Sequence, residues 1–180
     1  MILRPTTPEQ LEAKGVVAPY HPGRDMALDH DHCFLCNELL TDDNRTVEHV
    51  FPRWLQRDYD LWDQPLRLLN RTDISYRQLT IPCCKDCNGL WLKPIEDQVA
   101  KAVRSGPEAV TALDQTTLCL WLSKIYYGLR FKKLTLLSDQ RRRDGDRIVE
   151  PKYLAGHSEL HHMLQAARGR IRFARSAGSL

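Results

Sequence analysis

Cys33-Phe34-Leu35-Cys36, then Glu48-His49-Val50-Phe51-Pro52, then Cys84-Lys85-Asp86-Cys87-Asn88 are the segments on which the reading of this chain turns. Two C-x₂-C pairs, 47 residues apart, have the spacing of a four-thiolate metal site, in which sulfurs about 2.3 Å from zinc make a closed tetrahedron. Such a site is structural, and metal binding contributes directly to folding. Cys83 can in principle replace Cys84, but Cys84 keeps the x₂ spacing with Cys87. Cys119 lies in an apolar helical pattern and reads as an inert core thiol.

Between the pairs, Thr46 to Phe51 reads as a short strand ended by Pro52, and Tyr76 to Ile81 as a second, ended by Pro82. The stretch Arg53 to Ser75 holds Trp54, Leu55, Tyr59, Leu61, Trp62, Leu66, Leu68 and Leu69, too apolar for a free loop, so a short helix and a packed excursion are expected. From Cys84 the pattern is helical, with Leu90, Trp91, Ile95, Val99 and Val103 recurring at three- and four-residue intervals and Pro94 predicting a kink or an early break. A second helix is capped by Asp114 and presents Leu118, Trp121, Leu122, Ile125 and Leu129 as its apolar face. A short helix is expected from Thr7 to Gly15, a charged turn over 138–146 and a last helix from Glu159 to Ala167. The organisation is therefore an N-terminal helix and loop (1–30), a metal-stapled unit (31–104) and a mainly helical, basic region (105–180). The end, Arg175-Ser-Ala-Gly-Ser-Leu180, has neither a helix stop nor a strand, as expected of a chain that continues.

Glu48 and His49 are neighbours, and on a regular strand their side chains point to opposite faces; one site can use both only where the strand bends or ends. The division of labour that suits them is Glu48 as an oxygen ligand of a divalent cation and neutral His49 as a base toward water. On these residues the chain resembles the HNH endonuclease family in its zinc-stabilised form: C-x₂-C, an acidic residue before His, Pro three residues after that His, then C-x₂-C and His or Asn. The resemblance runs from Cys33 to Asp97. It implies an α+β fold, a ββα-metal unit with a four-cysteine structural zinc, surrounded here by additional helices. It also implies His49 as general base, with Glu48 and Asn88 holding a catalytic Mg²⁺ or similar cation. One position departs from the family: its middle asparagine, which braces the catalytic loop, is here Leu79, with Asn70 and Gln78 as nearby substitutes.

Arg53, Lys85 and Lys93 lie close in sequence to this site and are candidate phosphate contacts, and Glu96 is a candidate further ligand. Trp54, Trp62 and Trp91 read as packing rather than base-stacking residues. His30 and His32 read as polar approach residues to Cys33, with His32 as an alternative ligand, and His161 and His162 as surface positions.

Composition sets the frame for these assignments. The 180 residues are 42% hydrophobic and 27% charged, within globular usage, and no run approaches the ~20 apolar residues of a spanning helix. The N-terminus lacks the features of an export signal, so thiols are expected to stay reduced and the cytoplasm is the expected compartment. The net charge of +3 is unevenly spread. Residues 1–100 carry 11 basic and 16 acidic side chains, a net of −5, and residues 101–180 carry 15 and 7, a net of +8. That makes Arg141, Arg142, Arg143, Arg168, Arg170 and Arg172 a candidate footprint for a polyanion.

Nucleic acid, with double-stranded DNA foremost, is thus the expected substrate, and hydrolysis of its phosphodiester bonds the expected activity. Analogy with restriction and antiphage-defence nucleases adds a regulatory protein subunit as an expected partner. The competing expectation is a zinc-stabilised nucleic-acid-binding or protein-interaction module whose Glu48-His49 pair is vestigial.

Overall fold

A computed structural model describes residues 20–138, 145–150 and 152–168. The expected helix from Thr7 to Gly15, most of the charged turn, and Arg141, Arg142, Arg143, Arg170 and Arg172 lie outside the described residues.

The elements follow in chain order: a single helical turn α1 (Pro22–Asp25), β1 (Arg45–His49), α2 (Arg53–Asp58), β2 (Pro65–Arg67), β3 (Asp73–Ser75), a 3₁₀ turn (Tyr76–Gln78) and β4 (Thr80–Cys84). A π-helical turn (Cys87–Leu92) then leads into α3 (Lys93–Ser105), followed by α4 (Pro107–Thr111), α5 (Gln115–Lys133), α6 (Lys152–Ala155) and α7 (Ser158–Ala167). β1 and β4 form an antiparallel ribbon that pairs Arg45 with Cys84 and His49 with Thr80. β2 and β3 form a separate small ribbon within the excursion. Helices and small antiparallel sheets together make an α+β architecture, and no helix among the described residues is long and apolar enough to cross a membrane.

The second strand lies further along the chain than the pattern suggested. Tyr76–Gln78 is a 3₁₀ turn closed by a reciprocal Ser75–Gln78 capping box, and β4 runs through Pro82 to Cys84. Pro82 is tolerated because a two-stranded ribbon leaves each strand one edge free of its ladder. Its carbonyl points to that outer edge and accepts from the Phe34 N–H at 3.0 Å, so the missing Pro82 N–H, on the same side, interrupts no pairing with β1. Pro94 likewise does not break its helix. It follows directly on the π-helical turn, where the Lys93 N–H still donates to the Asn88 carbonyl, and the helix runs on to Ser105.

One core joins the ribbon to the helices. Phe34, Leu35, Val50, Leu79 and Ile81 from the ribbon and its approaches pack with Tyr127 and Phe131 from α5, with Leu134 just after it, and with Leu154 and Leu164 from the C-terminal helices. Asp114 caps α5 as expected, accepting from the Thr117 N–H at 3.0 Å. The helix is rotated from its expected setting, however. Its buried face is Leu120, Ser123, Lys124, Tyr127, Gly128 and Phe131, while Leu122 is 51% exposed. Hydropathy counts lysine and glycine against burial, yet here Gly128 admits the sheet and Lys124 has partners inside. Cys119 correspondingly lies exposed on the outer face, not in the core.

At Gly128, an added Cβ would stand 3.1 and 3.2 Å from the two methyls of Val50 and 3.3 Å from Ile81. Gly128→Val should therefore cost about 1–3 kcal/mol, the scale of core overpacking, in spite of the glycine it removes from a helix. Denaturant unfolding of the two proteins measures this, and equal stability would mean that α5 does not lie so close to the ribbon.

His161 is fully buried rather than a surface residue. Its Nε2–H donates to the Phe34 carbonyl at 3.0 Å and its Nδ1 accepts from Gln165 at 3.1 Å, an arrangement that needs the neutral ring. Burial pulls its pKa down to about 4. An unfolded chain takes a proton below about 6.5 that the folded chain refuses, so stability is complete above that pH and is lost as the pH falls toward 4. The loss is about 3 kcal/mol over this window. Unfolding at pH 7 and pH 5 should show a smaller drop for His161→Gln than for the parent, and equal drops would place the sensitivity elsewhere.

Candidate metal centre and cleft

The first cysteine pair sits on a tight turn. Asn37 N–H donates to the Cys33 carbonyl at 2.9 Å, Cys33 N–H donates to the Glu38 carbonyl at 2.9 Å, and Asn37 takes a left-handed conformation that asparagine tolerates well. The second pair joins the end of β4 to the start of the π-helical turn. Together the sulfurs of Cys33, Cys36, Cys84 and Cys87 lie within 4.8 Å of one another. Cys36 and Cys84 are 3.7 Å apart, against the roughly 3.8 Å between sulfurs of a tetrahedral zinc–thiolate site. The quartet can hold a structural metal ion such as zinc, and it contains Cys84 rather than Cys83, with no histidine. His32 instead pairs with Asp29 at 2.9 Å.

Four crowded sulfurs cannot all be anions without a cation among them. Hydrogen bonds from Cys36, Cys83 and Cys87 hold the Cys33 thiol far below its ordinary range, while Cys36 is pushed up to about 12 by the bond it gives Cys33. Arg168, at the end of α7, is half-buried beside this cluster. Burial opposes its charge while the nearby sulfurs of Cys87 and Cys36 raise its pKa, and its buried Nε and Nη1 have no hydrogen-bond partner among the described residues.

Glu48, His49, Arg53, Trp54, Asn88, Lys93 and Glu96 line one cleft of about 420 Å³, together with Val47 and Asp97. The ribbon brings this about. β1 ends at His49, and the cysteine quartet fixes the π-helical turn alongside, where Asn88 Nδ2 donates to the Val47 carbonyl at 3.1 Å and to Thr46 Oγ1 at 3.2 Å. These bonds commit the amide nitrogen and leave the Asn88 oxygen as the group it can offer a cation. Arg53 lies exposed over the ring of Trp62, and Lys93 pairs with Asp97 at 2.8 Å. Lys85 is exposed and does not line the cleft.

Sequence reasoning missed Lys124. Its ammonium, on the buried face of α5, donates to Glu48, to Glu96 at 2.5 Å and to the His49 carbonyl at 2.9 Å. A lysine in register with Leu120, Tyr127 and Phe131 was the available signal, since a buried lysine requires anionic partners. Burial pushes the Glu48 carboxyl up to about 7, against the pull of Lys124 and with added repulsion from Glu96. Burial opposes the Lys124 charge too, but its two carboxylates outweigh it and raise its pKa.

His49 packs against Trp62 with ring centroids 5.7 Å apart, and its buried Nδ1 has no hydrogen-bond partner among the described residues. Burial, then the charges of Arg53, Lys124 and Arg57, lowers its pKa and so favours the neutral ring. Neither substitute for the middle asparagine reaches it. Asn70 donates to the Leu137 carbonyl and accepts from Thr72, and Gln78 closes its own capping box. Leu79 is a core residue whose carbonyl accepts from the Val50 N–H at 3.0 Å. Trp54 stacks on Trp121 and carries the Arg104 guanidinium over its own ring, 5.8 Å from the centroid, in line with a packing role.

No protein-family model, curated protein or solved structure matches this chain.

Proposed function

We propose that this protein is a metal-dependent endonuclease of HNH type, a ββα-metal unit stapled by zinc that hydrolyses phosphodiester bonds of double-stranded DNA. The observation that supports this reading best is that one cleft collects Glu48, His49 and Asn88 together with Arg53 and Lys93. The order of antiparallel ribbon and following helix, joined by the cysteine quartet, agrees with it.

The residues present suit a hard cation, because Glu48 and Asn88 offer oxygen donors and leave room for water and a phosphate oxygen. Such an ion supplies charge against the phosphate and the departing oxygen. His49, held neutral, takes the proton of the attacking water. Arg53 and Lys93 bind the flanking phosphates and orient the backbone without reading base sequence. A role in restriction or antiphage defence, under a regulatory subunit in the cytoplasm, suits such an activity.

The unpartnered His49 Nδ1 and the Leu79 position favour the second reading, a zinc-stabilised binding module with a vestigial site. Incubation with supercoiled plasmid, single-stranded DNA and RNA, with EDTA or with added Mg²⁺ or Mn²⁺, separates the two. Cation-dependent nicking or linearisation of the plasmid is the expected result. Intact plasmid under every cation would overturn the nuclease reading, and cleavage of RNA alone would replace the substrate.

A further inference from the structure

The Lys124 ammonium has three protons and three acceptors: a Glu48 carboxylate oxygen, a Glu96 carboxylate oxygen at 2.5 Å and the His49 carbonyl at 2.9 Å. It is 2% exposed, so no water competes for those protons, and it belongs to a helix fixed against Val50 at Gly128. Its position is therefore set by α5 and not by the cleft. Two carboxylates meet at one buried point, and a single positive charge lies between them.

We propose that Lys124 is the cleft's built-in cation and a positioning residue. It takes Glu96 out of the ligand set of the divalent ion and limits how tightly that ion is held by Glu48 and Asn88. The inference rests on the reading of Glu48 and Asn88 as ligands of that ion. The physical basis is charge. With Lys124 in place, the Glu48–Glu96 pair presents one net negative charge rather than two, and a divalent ion seeking Glu96 must first displace an ammonium with all three bonds satisfied. The bond to the His49 carbonyl ties the same ammonium to the end of β1, where adjacent side chains of opposite orientation must serve one cleft.

The test is Mn²⁺ binding, measured at pH 8 by calorimetry and by the electron-spin resonance of free Mn²⁺, on the full zinc-loaded chain. Lys124→Met should bind Mn²⁺ at least ten-fold more tightly than the parent, and Glu96→Gln added to that variant should abolish the gain. Damage to the fold would weaken binding, so a gain cannot come from a merely structural role. In the native background, Glu96→Gln removes a neighbouring charge but no ligand and should weaken Mn²⁺ binding by less than ten-fold. Unchanged or weaker binding by Lys124→Met, or a loss of ten-fold or more in Glu96→Gln alone, overturns the inference. Should Lys124→Met fail to fold, the Glu96→Gln measurement decides by itself. Glu48→Gln reports separately on the underlying reading: if it leaves Mn²⁺ binding intact, the Glu48–Asn88 cation site fails, whereas a Lys124 failure with Glu48 sensitivity retained removes only the built-in cation.

Discussion

His49→Ala should lower cation-dependent cleavage of duplex DNA by about 100-fold or more, the usual scale for loss of a general base. The fold should be unaffected, because the imidazole is half-buried, packs on one face against Trp62 and donates no hydrogen bond from Nδ1 to another described residue. Zinc content should be unchanged as well, since the cysteine quartet does not include His49. Raising Mg²⁺ or Mn²⁺ should not rescue this variant, whereas it should partly rescue Glu48→Ala and Asn88→Ala, whose defect is weaker cation binding. Initial nicking rates across a cation series, alongside circular dichroism and metal analysis, make the distinction. A His49→Ala protein that nicks like the parent would leave the binding-module reading in its place.

Cys36→Ser should yield protein that is unfolded or insoluble and lacks stoichiometric zinc. Structural zinc contributes on the order of 10–16 kcal/mol in zinc-finger peptides at neutral pH, comparable to the whole stability of a domain. Apart from the Phe34–Pro82 hydrogen bond and the burial of Phe34 and Leu35 in the core, little else holds these ends together. A ribbon of two strands is marginal alone, and the quartet is what joins the Cys33 turn, the end of β4 and the start of the π-helical turn. Cys119→Ser is the control, because Cys119 is exposed on α5 and outside the quartet. Zinc analysis and near-ultraviolet circular dichroism of the two variants should diverge completely. A folded, zinc-free Cys36→Ser protein would show that the hydrophobic core suffices.

Both positions are legible in the sequence, because a metal quartet and an acid–histidine pair are carried by residue identity and spacing. The same local logic found the Asp114 cap and the last helix, which depend on a hydrogen-bonding side chain and on period. It failed where a residue's surroundings come from elsewhere in the chain. Pro82 read as a strand end, yet β4 continues because its outer edge meets the Cys33 turn. Leu122 read as core and Lys124 went unremarked, although α5 faces inward with the lysine.

What the sequence offered by itself, then, was the two C-x₂-C pairs that can hold a metal ion and the adjacent Glu48-His49 pair, since residue identity and spacing carry both, while Asn88 became a candidate only through the resemblance to a family. Only the tertiary structure decided that α5 inserts Lys124 between Glu48 and Glu96, that His161 is sealed beneath the first cysteine turn, and that Arg168 lies beside the thiols. The reason is the same in each case. A buried charge or imidazole is tolerated only with partners, and those of Lys124 and His161 stand 76, 28 and 127 residues away along the chain, beyond the reach of any local pattern.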